Sequence, residues 1–236
     1  MAGVLWVSSK IVEPAKLSVE QLDDWYENEH ALEVLRLPGI PSGTRYVATN
    51  PTNPSPFLIT YEFPDLSYTS SPSFQAVATQ TPDQQLVNRI YAHASFDIRF
   101  YSEFAIPAHS PSSAPPVPTS APLLASIAIA PLSGKEGAAE VWVAGKFALG
   151  LKHLTGFVRA RRFEFLNGVL RERNVVSVPG APKWLALVEF EDGATEVSGE
   201  LDGVLGEEGL VEVSVEWYRV KKVWREGDVE KVGQVP

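Results

Sequence analysis

The chain has 236 residues, no cysteine, one methionine, 19 prolines and a formal charge of −9 from 20 basic and 29 acidic side chains. Hydrophobic residues at 44% suffice for a packed core and exclude a disordered chain. The acidic balance excludes a nucleic-acid backbone binder, and the lack of cysteine excludes disulfides, thiolate nucleophiles and thiolate-held metals.

Met1 to Trp6 are apolar without a basic leader, so no secretion address is expected. The longest apolar run, 123–132, is broken by Ser126 and Pro131. It is about half the roughly 20 residues a membrane helix needs. A cytoplasmic protein without a membrane partner is expected.

Residues 4–12 read as a strand. Residues 18–35 read as a helix, with Ser18 and Gln21 at capping-box spacing and Pro38-Gly39 beyond its end. Leu22, Trp25, Glu29, Leu32 and Leu35 fall near one stripe, flanked by Tyr26 and His30. Strands follow at 43–49 and 57–63, the second alternating Phe57, Ile59, Tyr61 and Phe63 on one face. Helical segments at 73–79 and 82–92 lead to a strand at 95–104.

Residues 106–122 are rich in proline and serine and have no apolar period, which makes them an extended linker. The second half repeats the order at 123–130, 137–151, 156–165, 183–190, 195–204 and 210–221, with a longer middle hairpin through 167–182. A gapless comparison of 25–46 with 142–163 pairs Trp25/Trp142, Ala31/Ala148, Leu32/Leu149, Leu37/Leu154, Gly39/Gly156 and Arg45/Arg162. The order β-α-β-β-α-β, met twice, predicts an α+β protein of two tandem ferredoxin-like units, 1–105 and 123–236. A sheet with helices on one face leaves its other face to be covered, so the units are expected to pack sheet to sheet within a monomer.

His30 is the strongest candidate for chemistry, since an imidazole serves as base or acid near neutrality. Tyr26 lies one turn earlier and Tyr61 on a neighbouring strand, both able to hydrogen-bond a substrate oxygen. Glu29 points about 100° away from His30 around the helix. A plainer reading makes His30 a helix-end residue favoured by the dipole. Trp6, Trp25, Tyr46 and Phe63 would supply aromatic walls. Arg45 would hold a carboxylate, or join Glu62, Asp97 and Arg99 in an ion-pair network between sheets. His93 sits where a helix meets the last strand, as a capping residue or a site wall. His109 and His153 read as solvated. The histidines show no metal-ligand spacing, and no acyl-serine, P-loop or Rossmann motif occurs.

The run Trp25-Tyr26-Glu27-Asn28-Glu29-His30, then Leu37-Pro38-Gly39 and Arg45-Tyr46, resembles the helix and second strand of EthD-like dimeric α/β-barrel proteins. It is most similar to fungal members that carry two such units. The second half has Lys146 and Phe147 in place of Glu29 and His30, which implies a live pocket in the first half alone. That superfamily includes polyketide cyclases, lactone isomerases, cofactor-free monooxygenases, decarboxylases and haem-using relatives.

The resemblance implies an enzyme without a cofactor, of lyase or isomerase (cyclase) type, acting on a hydrophobic, polyketide- or phenol-like molecule. In this reading His30 moves a proton α to a carbonyl while Tyr26 or Tyr61 binds the enolate oxygen. One alternative is a non-catalytic ligand-binding or stress-associated protein. Another is a cofactor-free monooxygenase on an anthrone- or quinol-type substrate.

Overall fold

A computed structural model of the chain describes residues 1–78, 83–104, 121–173, 175–192, 197–206 and 209–231. Among them, nine strands form one antiparallel sheet. They are β1 (Gly3–Ile11), β2 (Gly43–Ala48), β3 (Phe57–Phe63), β4 (Ala94–Glu103), β5 (Leu123–Pro131), β6 (Phe157–Glu172), β7 (Val175–Ser177), β8 (Trp184–Phe190) and β9 (Val211–Trp224). The order β4-β1-β3-β2-β9-β5-β8-β6 closes on itself through a β4–β6 pairing, and β7 is a short flap on β6. The protein is therefore α+β, a closed eight-stranded antiparallel barrel with helices packed outside.

Inside the barrel the two halves share one core, where Val4, Tyr46 and Leu58 meet Phe163, Leu185 and Tyr218. The halves join edge to edge, β2 to β9 and β4 to β6. Edge joining satisfies the backbone groups that two open sheets would leave unpaired, and it covers the inner face in the same step. The long hairpin predicted at 167–182 takes part in this closure. Strand β6 runs on to Glu172, and its residues Asn167 to Glu172 pair with Phe100 to Ser95 of β4. The linker predicted at 106–122 lies outside the described residues apart from Ala121 and Pro122.

Helix α1 (Val19–Trp25) begins at Ser18 with the anticipated capping box. Gln21 N–H donates to Ser18 Oγ at 3.2 Å, and Ser18 N–H donates to Gln21 Oε1 at 2.8 Å. A π-helical turn, Tyr26–His30, then leads into α2 (Ala31–Leu35). Its extra residue rotates everything beyond it. The buried face is Leu22, Trp25 and Tyr26 before the turn's middle, and Ala31, Val34 and Leu35 after it. The predicted stripe, which carried Glu29 and Leu32, is corrected accordingly: Glu29 is exposed and Leu32 half-buried.

Helix α3 (Pro72–Ala78), then α4 (Gln84–Leu86) with a π turn at Val87–Tyr91, occupy the two helical stretches foreseen before β4. In the second half, α5 (Glu136–Trp142) passes through a π turn, Val143–Phe147, into α6 (Ala148–Leu151). The turn thus falls at the same five positions of the Trp25/Trp142 register. Helix α7 (Val197–Leu205) precedes β9. Among the described residues, no helix is long and apolar enough to cross a membrane.

Alternation along the strands sorts side chains into layers. Leu5, Val7, Ile59, Tyr61 and Phe63 pack outward against Leu22, Trp25 and Leu35. Ile127, Trp184, Ala186 and Val188 pack outward against Trp142, Phe147 and Leu151. Val4, Trp6, Tyr46, Leu58, Phe163 and Tyr218 fill the barrel. Ion pairs run through that interior. Arg161 bonds Glu62 at 2.7 and 2.8 Å and Glu103 at 2.9 and 3.0 Å, linking the halves. Of the predicted network, Glu62 does cross between halves, whereas Asp97 and Arg99 pair with each other and Arg45 lies on the opposite face.

Near the chain start, Asp65 accepts hydrogen bonds from the Ser67 hydroxyl at 2.6 Å, the Ser67 N–H at 3.0 Å and the terminal ammonium at 3.1 Å. These donors, Ser67 foremost, hold its carboxyl down from an ordinary 3.8 to about 2. A carboxyl depressed by folding adds stability above its unfolded value and loses it as pH falls through the folded one. An NMR titration is expected to place the Asp65 midpoint at about 2, and Ser67→Ala to move it back towards 3.8.

Candidate functional site

The π turn brings three side chains of one helix together. The Trp25 and His30 rings stack with centroids 4.7 Å apart and an interplanar angle of 8°. Tyr26 lies 4.8 Å from Trp25 and 5.8 Å, edge-on, from His30. Tyr91 and Phe96 close the cluster, at 5.6 and 5.9 Å from Trp25. Beneath it stands Tyr61 of β3, whose buried hydroxyl has no hydrogen-bond partner among the described residues.

Burial raises the Tyr61 phenol well above its ordinary value. It raises Tyr26 as well, against the opposing pull of Arg45 and of a hydrogen bond with Ser9. Both hydroxyls therefore stay protonated near neutral pH and serve as donors. The His30 side chain is 29% exposed, with Nδ1 3.6 Å from Glu33 Oε2. Hydrogen bonding to that imidazole holds the Glu33 carboxyl below its ordinary range. An imidazole oriented by a carboxylate over an aromatic floor can accept a proton from a bound molecule.

Arg45 does not face a ligand. It is 1% exposed beneath the helix, its guanidinium 4.4 Å from the Tyr26 ring centroid. It pairs closely with Asp23 and lies 3.8 Å from Glu27. Lys221 and Lys222 of β9 reach the same two carboxylates. Arg45 thus docks the helix at the β2–β9 seam.

The other expected site residues are scattered. Trp6 and Tyr46 point into the barrel, because Leu5, Val7 and Arg45 take the helix side and strand neighbours alternate. Trp6 Nε1 donates to Ser126 Oγ at 3.3 Å, and burial raises the Tyr46 phenol. Phe63 belongs to a separate aromatic group with Phe74 and Phe100. Glu29 pairs with Arg89 at the surface, 2.6 Å away. His93 lies 3.6 Å from Glu13, and its carbonyl accepts the Val12 and Glu13 N–H groups, tying β1 to β4. Of the sequence candidates, His30, Tyr26 and Trp25 come together, and Tyr61 shares the core beneath Tyr26 and Trp25.

Glu33 was within reach of sequence reasoning as the i+3 neighbour of His30. Tyr91 and Phe96 come from a distant element and left no local signal.

Inside the barrel a cavity of about 20 Å³ is lined by Thr44, Tyr46, Glu62, Arg159 and Glu189 among others. That is room for a water molecule, not for a substrate. Among the described residues, no group of three or more potential ligands gathers to hold a metal ion. The residues around His30 do not fit a haem. Trp25 covers one face of the imidazole, and Tyr26, Tyr61 and Phe96 fill the space below.

No protein-family model matches the sequence, and no curated protein matches it. Solved structures do resemble the fold. An anthrone oxidase-like protein superposes with a TM-score of 0.58 at 11% identity, covering 98% of this chain and 96% of its own. A variant of chlorite dismutase from Candidatus Nitrospira defluvii gives 0.56 at 9% identity, covering 94% and 91%. A Lactobacillus acidophilus NCFM protein assigned as a monooxygenase gives 0.50 at 8% identity, covering 95% and 97%. At these identities the likeness establishes architecture alone: the chain shares the barrel fold of these structures over nearly its whole length.

Proposed function

We propose that the chain is an EthD-like enzyme of two tandem ferredoxin-like units, acting without a cofactor on a hydrophobic, oxygenated small molecule at the His30 face. The observation that carries this reading is the stacking of His30 on Trp25 beside Tyr26 at a π turn, with the unpartnered Tyr61 hydroxyl in the core beneath. Such turns recur at functional sites. His30 takes a proton from a phenol or an activated methylene, and a tyrosine hydroxyl donates to the oxygen that becomes negative.

Cyclisation, isomerisation and oxygenation start from that anion, and decarboxylation forms it by loss of CO₂. The names of two structural neighbours, an anthrone oxidase-like protein and a monooxygenase, favour oxygenation. In that reaction an anthrone-type methylene loses two hydrogens to O₂. One oxygen atom stays on carbon as the carbonyl and the other leaves as water. The test is oxygen uptake with an anthrone- or quinol-type substrate. One O₂ consumed per carbonyl formed is the expected result, and no uptake with either class overturns oxygenation.

The partial exposure of His30 and its stacking on Trp25 favour a second reading, a ligand binder without turnover. Saturable binding with no product would establish it.

Tyr61→Phe separates a site hydroxyl from an ordinary core residue. Removing an unsatisfied buried hydroxyl is expected to stabilise the free protein by about 1 kcal/mol and to raise KM. Denaturant midpoints and initial rates check the two parts. A stability loss would mean that the hydroxyl has a partner.

A further inference from the structure

The second half keeps the buried arginine of the first but not its carboxylates. Arg162 on β6 stands where Arg45 stands on β2. The two pair across equivalent hairpins, Arg45 with Ile59 and Arg162 with Ala186. Each half also carries a π turn that begins directly after a tryptophan. The Trp25/Trp142 register sets Asp23 against Glu140 and Glu27 against Ala144. Glu140 is 69% exposed and lies 4.0 Å from Lys183, while Ala144 has no carboxylate to offer. Among the described residues, no acid pairs with Arg162.

Arg162 is nevertheless 4% exposed. Its Nη1 donates to the Val143 carbonyl in the π turn, and its guanidinium lies 4.9 Å from the Phe104 ring centroid. Nη2 has no partner. Burial without a compensating anion lowers the guanidinium to about 10. On the same helix, Trp142 Nε1 is a second buried donor without a partner among the described residues. A buried cation with a vacant donor costs stability unless something anionic completes it.

We infer that the second half binds a small carboxylate at Arg162, the ligand's oxygens taking the place that Asp23 and Glu27 fill in the first half. A planar guanidinium fork matches a carboxylate. The Phe104 ring beside the guanidinium suits an aromatic acid. Phe147 stands at the position of His30, so this face has no imidazole base and acts as a binding site. The inference goes beyond the proposed reaction and does not depend on it.

Benzoate is the probe, titrated into the full chain by calorimetry, with benzamide as its uncharged counterpart. Benzoate is expected to bind saturably and benzamide not to bind. Ala144→Glu supplies in cis what Glu27 supplies to Arg45. This variant is expected to melt higher than wild type and to bind benzoate at least about ten-fold more weakly. Arg162→Met is expected to lose binding, and His30→Ala to keep it. Absence of saturable binding to the wild type, equal affinity for benzamide, or undiminished affinity in Ala144→Glu would each overturn the site. Because Ala144→Glu keeps the arginine and adds its partner, the test does not hinge on whether Arg162→Met folds.

Discussion

Replacing Arg161 by methionine is expected to destabilise the protein by about 3–5 kcal/mol. Arg161 is 8% exposed inside the barrel and holds two carboxylates at once, Glu62 and Glu103 of the first half. Methionine fills comparable space but leaves both half-buried acids without this partner. The loss therefore comes from two stranded charges rather than from missing packing. It follows that changing all three residues together to apolar side chains of similar volume is expected to recover most of the stability. Urea midpoints measured at unchanged m-value check both variants. If the single and triple replacements cost the same, Arg161 acts through packing instead.

His30→Ala is expected to lower turnover by about 10²–10⁴-fold, the usual contribution of a positioned general base. The melting temperature is expected to change little, because the imidazole is partly exposed and its pairing with Glu33 is a surface contact. His30→Phe is the better-controlled variant. Phenylalanine already occupies this position in the second half, where the Phe147 and Trp142 rings lie 5.1 Å apart. It should preserve packing on Trp25 while removing the base. Initial rates at saturating substrate, set beside melting curves, separate the two effects. A kcat within ten-fold of wild type in His30→Phe would remove the base from the mechanism.

Much of the local structure was legible in the residues. Ser18 and Gln21 marked the helix start because the capping box is a contact between positions three apart. The alternation Phe57, Ile59, Tyr61, Phe63 marked a strand with one apolar face, and those residues do share one core. The Trp25/Trp142 register anticipated a correspondence that extends to the π turns, although nothing in composition announces such a turn. The grouping of His30 with Tyr26 and Trp25 was readable for the same local reason.

What tertiary structure alone decided concerns faces and distant partners. Alternation says that Trp6 and Leu5, or Arg45 and Tyr46, point opposite ways. It does not say which way is inside until β2 meets β9 and β4 meets β6. That closure sent Trp6 and Tyr46 into the barrel and dispersed the expected aromatic wall. The extra residue of the π turn sent Glu29 to the surface. Arg161 is 58 residues from Glu103 and 99 from Glu62, and Arg162 lacks carboxylates that Arg45 possesses. Sequence periodicity reports which residues share a face of one element. Charge pairing inside a barrel depends on which elements meet, and closure sets that.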